Sequence, residues 1–206
     1  MIGVLDYGIG NVASILNMLK KISIKGCAVK NGKEMDACDK LILPGIGAFD
    51  TGMTLLTQEG RLEALQYAND CGKPILGICL GMQLLGRKSE EGKKPGLGFL
   101  PFDVKRFQLE VYPELRVPHM GWNDVKVSSP CDSFFYEPES EPRFYFVHSY
   151  HAVCDHPEDI WMTCDYGETF TAAVQRKNLW GVQFHPEKSH RFGMELLNSF
   201  ARGLCD

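Results

Sequence analysis

In the first half of this chain, short apolar runs alternate with stretches whose apolar residues recur at helical spacing. The runs are Ile2–Leu5, Ile24–Val29, Lys40–Leu43 and Ile75–Ile78. A strand that is apolar on successive residues has no face to give to water, so both of its faces must be covered. The intervening stretches supply the cover. Val12, Ile15, Leu16, Leu19 and Ile22 fall on one helical face, as do Leu62, Leu65 and Ala68, with Cys71-Gly72 as a stop. Met82, Leu84 and Leu85 open a further helix. Buried strands separated by amphipathic helices predict a parallel sheet with helices on both faces.

The second half changes period. Asp103–Phe107, Trp122–Val127, Phe144–Val147, Tyr150–Val153, Ile160–Cys164 and Thr171–Val174 read as half-buried strands separated by turns. They predict antiparallel strands added to, or packed beside, the parallel sheet. Leu179–Gln183 is again apolar, and a last helix from His190 to Arg202 turns Phe192, Leu196, Leu197 and Phe200 inward. The expected fold is α/β: a mostly parallel central sheet flanked by helices, with added antiparallel strands in the second half. No repeat or linker divides the chain, so residues 1–206 are expected to form one domain. Lys88–Lys94 and Glu137–Pro142 read as charged surface insertions.

Acidic residues outnumber basic ones, 26 to 22, giving a formal charge of −4. That balance, without a basic cluster, argues against nucleic acid or an anionic membrane as partner. No apolar run reaches the roughly 20 residues of a membrane helix, and Met1–Asp6 carries no signal-peptide pattern. The expected compartment is the cytoplasm. Of the 8 cysteines, all but Cys79 read as small buried hydrophobes with free thiols.

Cys79 stands apart because Gly77-Ile78-Cys79-Leu80-Gly81 links an apolar strand to a helix. G-x-C-x-G at such a junction is the thiol form of a nucleophile elbow, a strained turn that needs small flanking residues. It presents the thiol at the carboxyl edge of the sheet, at a helix N-terminus that favours thiolate. The amide of Leu80 points to the same space and can serve an oxyanion. A base is available in Phe184-His185-Pro186-Glu187, which follows another apolar strand. Strand carboxyl ends in an open α/β sheet converge on one crevice, so His185 can meet Cys79 there. Glu187 is near enough to orient the imidazole, completing triad logic. Pro44-Gly45-Ile46-Gly47-Ala48-Phe49 is a glycine turn able to expose a second set of amides.

These motifs, in this order, resemble the class I (triad) glutamine amidotransferases, whose fold is flavodoxin-like. Met1–Asn11, Leu43–Phe49, Gly77–Leu85, the run Pro118-His119-Met120-Gly121-Trp122-Asn123, Phe144–Tyr150 and Gln183–Ser189 further resemble the glutaminase subunits of imidazole glycerol phosphate synthases, nearly end to end. The resemblance implies hydrolysis of L-glutamine through a thioester on Cys79, with His185 and Glu187 as its partners. It implies that Leu80, Ile46 and Gly47 supply the oxyanion hole and that Gln83, Glu91, Ser149 and Tyr150 hold glutamine. It also implies a (β/α)₈-barrel cyclase partner in histidine biosynthesis, forming a heterodimer, with Trp122, Tyr145 and Lys188 at the interface. It implies no cofactor. His148 and His151, three apart on an expected strand, are taken to face opposite sides, and no metal is assigned.

Gly86-Arg87-Lys88 and His190-Arg191-Phe192-Gly193 depart from the pattern and leave an alternative open: a paralogous glutaminase feeding ammonia to a cell-surface sugar amidotransferase system. Other classes fit less well. Gly8-Ile9-Gly10-Asn11-Val12-Ala13 matches a dinucleotide-binding glycine pattern, but no acid closes the second strand. A thiol peptidase would share the elbow without needing Gln83 or His-Pro-Glu. A non-catalytic regulator would need none of Cys79, His185 and Glu187.

Overall fold

The structure, a computed structural model, describes residues 1–108, 112, 115–128 and 141–203. Cys131, Cys205 and residues 137–140 of the second charged insertion lie outside the described residues. Five strands form the parallel core: β1 (Ile2–Leu5), β2 (Gly26–Val29), β3 (Lys40–Gly45), β4 (Ile75–Cys79) and, far along the chain, β12 (Leu179–Val182). Their spatial order is β2-β1-β3-β4-β12, with every neighbouring pair parallel. This is the doubly wound order expected of a flavodoxin-like sheet. The helices α1 (Val12–Lys21), α2 (Gly32–Asp36), α3 (Phe49–Leu56), α4 (Arg61–Asp70) and α5 (Leu80–Leu84) occupy the connections.

The period of two along each buried strand sorts the core into two layers. Ile2, Val4, Ile42, Leu76 and Ile78 pack on one face with Ile15 and Leu19 of α1 and with Leu196, Leu197 and Phe200 of α6 (His190–Arg202). Leu5, Leu41, Leu43 and Ile75 pack on the other with Phe49, Leu56, Leu65 and Leu84. Lys40, only 4% exposed at the start of β3, closes the far end of α6. Its ammonium donates to the carbonyls of Phe200 at 2.8 Å, Ala201 at 3.1 Å and Gly203. Those are the orphan acceptors of a helix C-terminus, where a cation is favoured.

The antiparallel strands extend this sheet. Beyond β12 lie β11 (Glu168–Arg176), β10 (Ile160–Tyr166) and β7 (Lys126–Val127), while β9 (Tyr150–Cys154) pairs with β11 and with β5 (Phe102–Arg106). A separate two-stranded sheet pairs β6 (His119–Asp124) with β8 (Arg143–His148). The expected addition and packing-beside therefore both occur. The Lys88–Lys94 insertion is not plain solvated surface as expected. Ser89 is buried and bridges Val104, and the Asp50 carboxylate accepts from the amides of Lys93 and Lys94. The insertion is strapped to the start of α3 by backbone groups that its charged composition does not advertise. Against expectation Cys71 is exposed, and Cys27 and Cys154 are only half-buried, because they sit at a helix end, on the edge strand and at the last residue of β9.

The turn from β4 into α5 brings backbone directly against backbone. A Cβ on Gly81 would lie 1.8 Å from the Leu43 carbonyl oxygen, and one on Gly77 would lie 2.7 Å from the Gly81 backbone. Backbone atoms on adjoining elements cannot both yield, so α5 seats on β3 only without side chains there. Gly81→Ala is expected to lower stability by about 3 kcal/mol, the upper end of overpacking costs. Urea denaturation of the purified variant measures this directly.

Candidate active site

Cys79 ends β4 with φ 54° and ψ −110°, a backbone conformation that a side-chain-bearing residue adopts only when its surroundings compel it. The glycines on either side allow the compulsion. In the sheet register Cys79 lies opposite Gly45 at the end of β3, and Ile78 opposite Val182 at the end of β12. The carboxyl ends of three neighbouring strands thus deliver the thiol, the Gly45–Gly47 turn and the His185 segment to one place.

His185 is buried at 1% exposure. Its Nδ1 meets Glu187 Oε1 at 2.8 Å, and the Glu187 side chain is itself almost wholly buried. The main chain around the ring is fixed as well. The His185 amide donates to the Tyr145 carbonyl at 2.9 Å, and Ser189 Oγ donates to the His185 carbonyl at 2.7 Å. Nε2 makes no hydrogen bond of good geometry. Burial opposes a charge on the ring, yet Cys79 and Glu187 together outweigh it and raise its pKa from 6.5 to about 10. The imidazole therefore keeps its proton at neutral pH. Burial, helped by Cys79, also pushes the Tyr7 phenol well above its ordinary range, and its hydroxyl donates to the Pro44 carbonyl at 2.6 Å.

A pocket of about 470 Å³ opens over these groups. Of the residues singled out from sequence, it brings together Cys79, Leu80, Ile46, Gly47, Gln83, Glu91, Ser149, Tyr150, His185 and Lys188. Glu187 stands behind His185 rather than in the wall. Ile46 is 49% exposed, and Gly47 has φ 95° with open space where a Cβ would sit. Glu91 already has one role: its Oε2 accepts from the Phe49 amide at 2.9 Å, at the first residue of α3. Gln83 is buried, and its amide nitrogen donates to the Tyr150 carbonyl at 3.1 Å and to Gln183 Oε1 at 3.0 Å.

Trp122 and Tyr145 face each other across β6 and β8, outside the pocket. Trp122 is 39% exposed, so it is not core packing. Its ring lies parallel to that of His190 with centroids 5.5 Å apart, and Lys188 Nζ sits 5.5 Å from the Tyr145 ring centroid.

His148 and His151 do not face opposite sides as expected. The chain turns at Ser149 between β8 and β9, so the two residues belong to different sheets and the period of two does not run through them. Both rings pack on Phe107, at 5.2 and 4.7 Å between centroids. His119 joins them, its Nδ1 3.0 Å from His148 Nε2. Burial lowers His119 to a pKa of about 4 and His148 to about 3, so both rings are neutral. Among the described residues, no group of His, Cys, Asp and Glu is arranged to hold a metal ion. The glycines at 8 and 10 both have positive φ; a Cβ on Gly10 would press on Pro44 at 3.0 Å, whereas one on Gly8 would meet open space.

Sequence reasoning passed over Gln183, whose Nε2 lies 3.7 Å from the Cys79 sulfur. Its only sequence signal was a polar residue at the end of an apolar strand, two before His185.

Comparison with known proteins places this geometry in a family. The model of the family described as Glutamine amidotransferase class-I matches residues 3–203. The chain is 49% identical over 203 residues to "Imidazole glycerol phosphate synthase subunit HisH 2" of Pseudomonas aeruginosa, covering 97% of this chain and 98% of that one. It is 45% identical to the protein of the same name from Methanococcus maripaludis, over 98% and 99% of the two chains. Among solved structures it is similar to a glutamine amidotransferase with a TM-score of 0.74 at 20% identity, covering 97% and 96% of the chains. It is also similar to the glutaminase domain of Trypanosoma brucei CTPS with bound acivicin, with a TM-score of 0.65 at 18% identity over 100% and 95%. At such identities these two speak for the fold alone. The chain belongs to the class-I glutamine amidotransferases and, within them, to the family of imidazole glycerol phosphate synthase HisH subunits.

Proposed function

We propose that this chain is the glutaminase subunit of an imidazole glycerol phosphate synthase, hydrolysing L-glutamine to glutamate and ammonia for histidine biosynthesis. The observation that carries this reading is the buried His185–Glu187 pair set beside a strained Cys79 at the floor of a 470 Å³ pocket. Residues 1–206 act as one amidotransferase domain in this reading, in the cytoplasm.

The Cys79 sulfur attacks the side-chain carbonyl carbon of glutamine. Negative charge moves to the carbonyl oxygen, which the Leu80 amide and the amides of the Ile46–Gly47 turn receive. The tetrahedral adduct collapses as its C–N bond breaks, and His185 gives its proton to the departing nitrogen, releasing ammonia and leaving a thioester. The ring, now neutral and still held by Glu187, takes a proton from water as that water attacks the thioester. Glutamate leaves, the sulfur is regenerated, and the proton is back on His185. Gln83, Ser149, Tyr150 and Glu91 line the space around the substrate, with Glu91 the carboxylate suited to its α-ammonium group.

Ammonia is lost to water unless a second protein receives it. The partner in this reading is a (β/α)₈-barrel cyclase that makes imidazole glycerol phosphate and AICAR, in a heterodimer. The exposed Trp122, stacked on His190 beside Tyr145 and Lys188, supports an interface on the pocket side. The names of the relatives do not favour the surface-sugar alternative.

The decisive experiment measures ammonia release from glutamine with and without the source organism's barrel cyclase and its ribonucleotide substrate. Stimulation is expected, and Cys79→Ala should remove on the order of 10⁴-fold or more of it while the cyclase keeps its activity with free ammonia. No stimulation by an active cyclase would return the surface-sugar partner to first place.

The His185 ring should titrate near pH 10 by NMR, and in Glu187→Gln its midpoint should fall. A raised pKa stabilises the fold fully below the unfolded value near 6.5, and that contribution fades as pH rises through about 10. The stability gap between wild type and Glu187→Gln, measured by denaturant titration, should therefore close between those limits. Trp122→Ala should weaken cyclase binding by about 30-fold, as for an aromatic hot spot, in a calorimetric titration.

A further inference from the structure

Gln183 follows β12 directly and is 0% exposed. A primary amide taken out of water is unfavourable unless both of its ends are bonded. Here both are: Nε2 reaches the Cys79 sulfur at 3.7 Å, and Oε1 accepts from Gln83 Nε2 at 3.0 Å. Its main chain is pinned as well, with the Gln183 amide donating to the Ala172 carbonyl at 2.8 Å.

Donor and acceptor arithmetic forces this orientation. The Tyr150 carbonyl can only accept, so the end of Gln83 that meets it at 3.1 Å is the NH₂ group. The same NH₂ group faces Gln183, so Gln183 must offer its oxygen there and its own NH₂ to the sulfur. The anchor is itself held. His148 Nδ1 donates to the same Tyr150 carbonyl at 2.8 Å, and its Nε2 then accepts from His119 Nδ1 at 3.0 Å.

We propose that Gln183 is a fixed hydrogen-bond donor to the Cys79 nucleophile, locked in that role by Gln83 and the Tyr150 carbonyl. The proposal rests on the glutaminase reading and deepens it. An N–H aimed at the sulfur favours thiolate over thiol and holds the sulfur in one position. The other groups facing Cys79 differ in kind. His185 exchanges a proton with the chemistry, and the Tyr7 hydroxyl is spent on the Pro44 carbonyl. Glu91 and Lys188 stand across the pocket wall. Gln183 carries no charge at any working pH, so its contribution is constant through the cycle.

The test is the pH dependence of Cys79 alkylation by iodoacetamide in the full-length chain, read by mass spectrometry of the Cys79 peptide so that other thiols do not contribute. Gln183→Met, of similar volume but without the donor, should slow alkylation at pH 7 by about tenfold and move the half-maximal pH upward by about one unit. Gln183→Glu, which sets a carboxylate against the sulfur, should slow it further. With the cyclase present, Gln183→Met should lower kcat for glutamine about tenfold and leave KM unchanged. An unchanged alkylation profile in folded Gln183→Met overturns the proposal. If that variant fails to fold, Gln83→Met releases Gln183 without altering it. A smaller shift in the same direction is then expected, and no shift overturns the proposal. Failure of the glutaminase reading looks different: the wild-type chain with its active cyclase would release no ammonia from glutamine, whatever the alkylation profile.

Discussion

The contact between α5 and β3 governs this molecule. With no side chain at Gly81 and none at Gly77, the helix after Cys79 sinks until its backbone touches the backbone of the neighbouring strand. That depth is what rotates Cys79 into its positive-φ conformation and turns its thiol to the carboxyl edge of the sheet. Gly45 belongs to the same constraint, since a Cβ there would lie 2.9 Å from both the Gly81 nitrogen and Leu80 Cβ. Three glycines on β3, β4 and α5 thus set how close the Gly45–Gly47 turn stands to Cys79.

Around this point the protein gathers polar groups that a core would ordinarily exclude. His185, Glu187, Gln83 and Gln183 lie together under the pocket, with His119 and His148 behind them. They are tolerated because nearly every donor finds an acceptor, and because the two kinds of histidine are kept apart. Among the described residues, no carboxylate stands against the rings of His119 and His148, and burial leaves them neutral. His185 has both Glu187 and the Cys79 sulfur, and stays charged. One fold holds imidazoles at opposite ends of their range by where it places the Cys79 sulfur and the Glu187 carboxylate.

Much of this was legible in the sequence, and for a physical reason. Period and turn chemistry are local, so the apolar strands, the helices from Val12, Arg61 and His190, and the strained cysteine turn could be read directly. The short helix α2 and the strapped Lys88–Lys94 segment could not. The first has five residues, too few to show a period, and the second is held by backbone amides on Asp50, which composition does not reveal. The error over His148 and His151 has the same root. A period of two predicts sides only within one strand, and the turn at Ser149 ends that strand. Gln183 stayed hidden because one polar residue at a strand end is ordinary. Its meaning lies in the spatial pairing with Gln83, a hundred positions earlier.

The sheet order also has a consequence for how the protein comes into being. Cys79 and His185 stand at and just beyond the ends of adjacent parallel strands, yet β12 follows β4 only after all of the antiparallel strands. Until Leu179–Val182 slots in beside Ile75–Ile78, β4 is a sheet edge and Cys79 has neither imidazole nor amide donor beside it. A nascent chain emerging from the ribosome therefore carries an ordinary thiol through most of its synthesis. β12 is the last strand to be synthesised, so a fragment that ends before it lacks both His185 and Gln183.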